Sequence, residues 1–525
     1  MTLFDAPRVD VQEGDSVSAR IAAAAKLHPE KPALICDNET IRWAEFDQRV
    51  NRIANALIGM GVKPGDNVAM LSRNSPEMAE TFIGTIRAGA CFVPLSTMAD
   101  AQSLKRMIDD SGSKVFLLSD GMRELAAPFI DDLPGVIDGG RIAIDFDADG
   151  WADYTVWRDH ASAEDPNLVI ALRDNFNIIY SSGTTGVPKG ILHSNGVRTG
   201  LCNSFTNFGV SAESITVLST PLYSNTTIVM FLPTLAHGGT VVLMRKFDVA
   251  GYLALVEKYK CTHTMLVPVQ YQRIMAFENL ADYDLSSMQV KLSTSAPLRA
   301  PLKRDILDRF PGLMIEIYGL TEGGGGTVLV CNEHPDKLES VGQPGLETEL
   351  KIIDENLQEL PPGETGEIVA RSPSMMTGYF QRQDLTGDIL WQDQDGRTFF
   401  RSGDVGRLDS DGFLFLGDRL KDMIISGGLN IFANDLELAL LKHDDITDAA
   451  VVAVPSENWG ETPLAFVVKT KTSDLRDEEL LAWVNGQLGK AQRISAIEFM
   501  DELPRSSIGK ILKRELREPY WREQT

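Results

Sequence analysis

The sequence predicts an α/β protein that ends in a smaller α+β domain, and three observations carry that prediction. Up to about residue 340, short apolar runs alternate with amphipathic segments, the pattern of doubly wound parallel sheets. Beyond it the texture changes to short strands separated by turns such as Pro361-Pro362-Gly363, which reads as a small barrel-like β unit. The charge-dense run Gly417-Asp418-Arg419-Leu420-Lys421-Asp422 closes that unit, and a linker of this composition is compatible with a hinge. The expected boundaries are a large N-terminal domain over 1–418, its β part over about 340–418, a hinge at 419–422 and an α+β domain over 423–525.

Taken in order, Leu34–Cys36, Val68–Leu71, Cys91–Leu95 and Val115–Leu118 read as strands, with a helical pattern over Glu77–Ala88 between them. Phe176–Tyr180 is a further apolar strand, followed by Val241–Met244 and Thr264–Val267. Two strands run out into polar residues, at Pro221-Leu222-Tyr223-Ser224-Asn225 and at Leu292-Ser293-Thr294-Ser295-Ala296-Pro297-Leu298. Strand ends of α/β sheets are where ligands bind, although each exit alone is an ordinary loop. The β unit contributes Leu350–Asp354, Gly366–Arg371 and Phe413–Leu416. In the last segment, Asn434 or Asp435 is expected to cap a helix whose buried stripe includes Leu436 and Leu440. Ala450–Val454 and Ala465–Val468 are its strands.

The bulk properties narrow the class. At 525 residues the chain exceeds a single core. A hydrophobic content of 43% with 24% charged residues suits a globular enzyme, and the formal charge of -24 disfavours nucleic acid or an acidic membrane as partner. The five cysteines (Cys36, Cys91, Cys202, Cys261, Cys331) are far apart, as expected for free thiols in a reducing compartment. The seven histidines show no metal-ligand spacing. No signal-peptide pattern is read at the N-terminus, no lipidation tail at the C-terminus and no membrane-spanning apolar run, Pro233 breaking the longest around Ile228–Ala236. The expectation is a cytoplasmic protein without integral membrane association.

Chemistry is concentrated in Ser181-Ser182-Gly183-Thr184-Thr185-Gly186-Val187-Pro188-Lys189-Gly190, which follows the strand at 176–180. Glycines let backbone amides approach an anion, hydroxyls add donors and lysine adds a point charge: a polyphosphate cradle. It is not a Walker A loop, because Val187 and Pro188 separate Gly186 from Lys189. Downstream, Tyr318-Gly319-Leu320-Thr321-Glu322 precedes four glycines, Gly323 to Gly326. Tyrosine can stack on a base, threonine can bond a phosphate, and glutamate can hold Mg²⁺, a cation that takes oxygen ligands. Within Arg401-Ser402-Gly403-Asp404 the carboxylate can accept both ribose hydroxyls, and Lys510 follows Gly509 on a polar loop near the end.

Together these stretches, in this order, resemble the adenylate-forming superfamily, over about Ala33 to Arg514. The resemblance implies two doubly wound α/β subdomains plus a small β-barrel-like subdomain, followed by a smaller mobile α+β C-terminal domain. It also implies an AMP-forming acyl-CoA synthetase: a carboxylic acid and Mg-ATP give acyl-AMP and pyrophosphate, and CoA then displaces AMP. On that basis Ser181, Ser182, Gly183, Thr184, Thr185, Gly186 and Lys189 would hold the departing phosphates. Thr321 would bond the α-phosphate, Glu322 the Mg²⁺, Tyr318 the adenine and Asp404 the ribose, with Arg419 also on the nucleotide. Lys510 would bridge the reacting carboxylate and α-phosphate; Lys421 matches the hinge, and the strand around Gly427-Gly428 would replace Lys510 for thioester formation. Tyr223, Ser224, Asn225, Ser295 and Ala296 fall in the acyl pocket and CoA tunnel.

Three positions depart from the family pattern. Ser224 stands where a gating histidine is usual, Thr294-Ser295-Ala296-Pro297 replaces Gly-Gly-Ala-Pro, and Glu316 replaces glutamine or asparagine while still able to accept a bond from the adenine amino group. An apolar lining from Ile228, Val229, Met230, Phe231 and Leu232, if these are not simply core, suits a fatty or aryl-alkanoic acid. Expected partners are that acid, ATP and CoA, and at most a second copy of the chain as a homodimer. Loading of a carrier protein, a luciferase-like oxidation and a nucleotide-binding pseudoenzyme are the alternatives.

Overall fold

A computed structural model describes residues 11–12, 14–181, 188–426, 429–489, 492–506 and 509–522. The chain divides into two compact units, one of residues 1–349 with 370–400 and the other of 350–369 with 401–525. The expected hinge at 419–422 lies inside the second unit.

The first unit holds two large sheets. In the nine-stranded one, Leu313–Gly319, Val290–Ser293, His263–Leu266, Ile215–Leu218, Thr240–Leu243 and Pro32–Cys36 run parallel in that spatial order. Antiparallel strands Gly326–Val330 and Glu39–Arg42 flank them. In the eight-stranded one, Asn175–Ser181, Cys91–Pro94, Asn67–Leu71, Val115–Ser119, Arg141–Ile144 and Ala152–Asp153 are parallel, and Lys189–Ser194 folds back antiparallel on Asn175–Ser181. The strand–helix alternation in the sequence therefore produces the doubly wound sheets it predicts, with antiparallel strands only towards their edges.

Between the sheets the helix Pro76–Arg87 is buried at every residue but Glu77. Ser75 caps it by accepting from Met78 N, and Pro76 occupies the first turn, where its missing N–H costs nothing. Phe82 on this helix stacks on Phe92 at 4.4 Å between ring centroids and meets Phe176 at 5.9 Å and Phe231 at 6.1 Å, so one apolar core joins strands of one sheet to a helix serving the other. Gly84 is required where this helix crosses Trp43–Gly59, since a Cβ there would lie 2.6 Å from Ile53 Cγ2.

The β segment forms a branched sheet of Glu349–Ile353, Gly366–Arg371 and Thr398–Leu408, with Leu390–Gln392 and Leu414–Arg419 both pairing with the long third strand. The final segment has a sheet ordered Leu429–Ile431, Ile424–Ser426, Gly460–Lys469, Ile446–Ser456, with Ala496–Phe499 parallel to Gly460–Lys469. Both its faces are covered: Ala449 and Val451 pack into one core with Leu436 and Leu440, while Ala450, Val452 and Val454 pack into a second with Leu516. One expectation is corrected here. The helix Ala433–Leu440 has Phe432 as its N-cap and no side-chain cap bond, so Asn434 and Asp435 lie inside its first turn. Asp435 there still complements the helix dipole.

All five cysteines are buried and unpaired. Among the described residues no helix is long and apolar enough to cross a membrane, and no cluster of His, Cys, Asp and Glu has metal-binding geometry.

Candidate functional site

The strands on either side of the expected phosphate loop are joined at its base by the pairing of Ser181 with Lys189. Ser182, Gly183, Thr184, Thr185 and Gly186 lie outside the described residues. Lys189 Nζ sits 5.2 Å from the centroid of the Tyr379 ring, and Tyr379 belongs to the short strand Gly378–Tyr379, which pairs with Lys189–Ser194. The Tyr379 hydroxyl donates to Glu322 Oε1 at 3.0 Å. Burial and the neighbouring Glu322 charge push the Tyr379 phenol well above its usual range, so it keeps its proton and acts as donor. Tyr379 thus touches both the lysine expected on the phosphates and the carboxylate expected on the metal.

The turn carrying Thr321 and Glu322 leaves the strand Leu313–Gly319 and is fixed through its backbone. His193 Nε2 bonds Thr321 O at 2.8 Å, Met376 N donates to Glu322 O at 2.8 Å, and Ser372 Oγ donates to Gly323 O at 2.6 Å. Gly323 has φ +69°, and a Cβ there would come within 1.8 Å of the Ser374 carbonyl oxygen, so only glycine fits. Tyr318, Thr321 and Glu322 remain partly exposed.

Glu316 does not do what the sequence suggested. It is 2% exposed, its Oε1 accepts from Leu298 N at 2.9 Å, and Oε2 pairs with Lys303 Nζ at 2.5 Å. Its carboxylate is committed to core partners, and an adenine amino group is left no exposed oxygen to bond. Burial nevertheless pushes the Glu316 carboxyl up, against the opposing pull of Lys303.

The two strand exits meet. Buried Asn74 pins the first by donating to Thr220 O and Met244 O, each at 2.9 Å, and accepting from Leu222 N at 2.7 Å. Tyr223 follows, with its hydroxyl 3.4 Å from Thr97 Oγ1. Ser224 is the N-cap of the helix Asn225–Ala236 and accepts from Thr226 N at 3.3 Å. Thr226 Oγ1 lies 2.5 Å from Ser295 Oγ, which joins this helix to the Ser295-Ala296 exit. Ser295 holds φ +80°, a left-handed conformation that favours glycine. The apolar lining expected from the same helix is mostly core: Ile228, Met230, Phe231 and Leu232 have no exposed surface, and only Val229 is half-buried.

In the second unit, Asp404 is paired in register with Arg419, with Oδ1 3.0 Å from Nε. Ser402 Oγ accepts from Asp404 N at 3.0 Å and donates to Ile368 O at 2.6 Å, which fixes the aspartate backbone. Lys510 is half-buried on a tight loop: its N donates to Ser506 Oγ at 3.2 Å, and its O accepts from Ser506 N at 2.8 Å. Arg505 anchors the loop by donating to Gly509 O at 2.6 Å and pairing with Asp448. Gly427, Gly428 and the side chain of Lys421 lie outside the described residues.

Tyr379 and His193 are the residues that sequence reasoning missed. Each acts through a partner far along the chain, and neither belongs to a local pattern that marks chemistry.

Doubly wound sheets, a glycine- and hydroxyl-bearing hairpin closed by lysine, and a nearby threonine–glutamate turn define an adenylate-forming ligase. The chain belongs to the AMP-binding enzyme family: residues 21–380 match the AMP-binding enzyme model, and 435–510 match the AMP-binding enzyme C-terminal domain. It is an enzyme of the AMP-forming acid–thiol ligase class. It is 35% identical to a feruloyl-CoA synthase of Amycolatopsis sp over 94% of this chain and 97% of that one. It is 32% identical to an indoleacetate–CoA ligase of Aromatoleum aromaticum, over 94% and 96% respectively. The crystal structure of ATP-bound MatB from Rhodopseudomonas palustris superposes with a TM-score of 0.87 at 27% identity, over 97% of this chain and 99% of that one.

Proposed function

We propose that the protein activates an aryl-alkanoic or fatty acid with Mg-ATP and transfers the acyl group to CoA. A carboxylate oxygen attacks the α-phosphorus of ATP, the bond to the β-phosphate breaks and pyrophosphate leaves. The CoA thiol, giving up its proton, then attacks the acyl carbonyl, and AMP departs. A carboxylate is a poor electrophile, and the mixed anhydride supplies the leaving group. The first step asks mainly for positioning and charge neutralisation.

The observation that carries this reading is the grouping of Lys189, Tyr379 and Glu322, a cation and a carboxylate held by one tyrosine beside the phosphate-loop hairpin. In this assignment Ser181 to Lys189 hold the β- and γ-phosphates, Thr321 bonds the α-phosphate, Tyr318 stacks on adenine, and Asp404 with Arg419 binds the ribose side. Lys510 bridges carboxylate and α-phosphate during adenylation, and the Gly427-Gly428 strand serves thioester formation after rotation about Lys421. The chemistry of Glu322 fits Mg²⁺, because Tyr379 occupies Oε1 and a hard cation takes carboxylate oxygen. Bound there, Mg²⁺ would offset the charge of the phosphates.

Of the two acid classes, the aryl-alkanoic one has the better support. The named relatives at 35% and 32% identity act on ferulate and indoleacetate. Thioester formation across hydroxycinnamic, arylacetic, arylpropionic and long-chain fatty acids tests this. Higher kcat/KM for the aromatic acids supports it, and preference for long alkyl chains contradicts it.

A further inference from the structure

We propose that His193 is a positioning residue for the Thr321–Glu322 turn, locked by the buried guanidinium of Arg198 into the tautomer that donates to the Thr321 carbonyl. This rests on the reading that Thr321 and Glu322 handle the nucleotide.

The geometry leaves one protonation state. Arg198 Nη2 lies 3.2 Å from His193 Nδ1, and a guanidinium can only donate, so Nδ1 accepts. The ring proton is therefore on Nε2, which faces Thr321 O at 2.8 Å, a group that can only accept. Arg198 Nε also donates to Asn177 Oδ1 at 2.8 Å. Arg198 and His193 are each 2% exposed, and among the described residues Arg198 has no carboxylate partner. Burial lowers the guanidinium only to about 9, so it stays charged at neutral pH, while burial and that charge hold the imidazole well below its usual range.

A buried cation without a counter-ion is costly, and its orientation indicates what it accomplishes. Arg198 polarises His193, and His193 polarises the peptide that joins Thr321 to Glu322. Asn177 lies on the strand entering the phosphate loop, His193 on the strand leaving it and Arg198 on the helix Asn195–Ser204 that follows. The network therefore ties both sides of the phosphate loop to the turn that carries Thr321, holding two nucleotide-binding segments in a fixed relation.

His193→Leu removes the donor at similar size, whereas His193→Gln keeps an N–H near Nε2. Acid-dependent ATP–pyrophosphate exchange in H193L is expected to lose about 10- to 100-fold in kcat/KM for ATP. H193Q should stay within about threefold of wild type, and thioester formation from supplied acyl-adenylate, which keeps the α-phosphate but not the pyrophosphate, should fall less than exchange does in H193L. Equal losses in both half-reactions, or wild-type exchange in H193L, would overturn the proposal. ¹⁵N NMR of the unmodified enzyme decides independently of folding: a proton on Nε2 of His193 supports it, and one on Nδ1 overturns it. Thr321→Ala separates the two failures. Lost exchange in T321A with wild-type exchange in H193L defeats the positioning role alone, whereas wild-type exchange in T321A defeats the assignment of Thr321 itself.

Discussion

The Tyr379 hydroxyl donates to Glu322 Oε1 while the Tyr379 ring lies beneath Lys189. One side chain therefore aligns the carboxylate proposed for Mg²⁺ and the ammonium proposed for the departing phosphates. Tyr379→Phe keeps the ring and removes only the hydrogen bond. The Mg²⁺ concentration for half-maximal pyrophosphate release should rise about 3- to 10-fold, the worth of one such bond, with the thermal midpoint nearly unchanged. An unaltered Mg²⁺ dependence would separate Tyr379 from the metal.

Lys510 is presented on a loop closed by bonds between Ser506 and its own backbone. Lys510→Ala should block adenylation yet leave thioester formation from supplied acyl-adenylate intact. Gly428→Leu should do the reverse. Equal loss of both half-reactions in K510A, or normal CoA turnover in G428L, would end the assignment of the two faces to two steps.

Lys303 and Glu316 form a buried pair, and Lys303 also donates to Leu338 O and Ser340 O. Lys303→Met would strand the carboxylate, with a loss of about 3–5 kcal/mol in chemical denaturation at neutral pH. The pH dependence has a definite sign. Glu316 has its folded-state pKa raised, so protonated Glu316 favours the folded state at low pH, and that contribution is lost as pH rises through the raised value. The deficit of K303M should therefore shrink on acidification, and a deficit constant with pH would contradict the pairing.

Ser295 combines φ +80° with a hydroxyl bond to Thr226. Ser295→Ala keeps the backbone strain and loses the bond, while Ser295→Gly loses both. The glycine variant should be more stable than the alanine variant by about 1–2 kcal/mol in denaturant titration. Equal stabilities would show that the backbone is unstrained there.

The candidate residues of the proposed site were legible where they lie close together in the sequence. The phosphate loop, the threonine–glutamate turn and the lysine loop each place diagnostic residues within a few positions, and strand–helix alternation gave the sheets that carry the first two. Glu316 was misread because its role depends on Lys303 and Leu298, which the fold brings to it and the flanking sequence does not announce. Ile228 to Leu232 could have lined a pocket or filled a core, and composition cannot separate the two: the sheet against which their helix packs made them core. His193 and Tyr379 contribute one hydrogen bond each to the turn at 321–322, and only tertiary structure creates such bonds.

The most direct test of the proposed reaction is pyrophosphate release from Mg-ATP with an aromatic acid, with and without CoA. Acid-dependent release that stops near one equivalent and becomes multiple-turnover only on adding CoA is the expected result. Release that CoA cannot advance would contradict transfer to CoA and point to a carrier protein as acceptor, and release that needs no acid would contradict adenylate formation altogether.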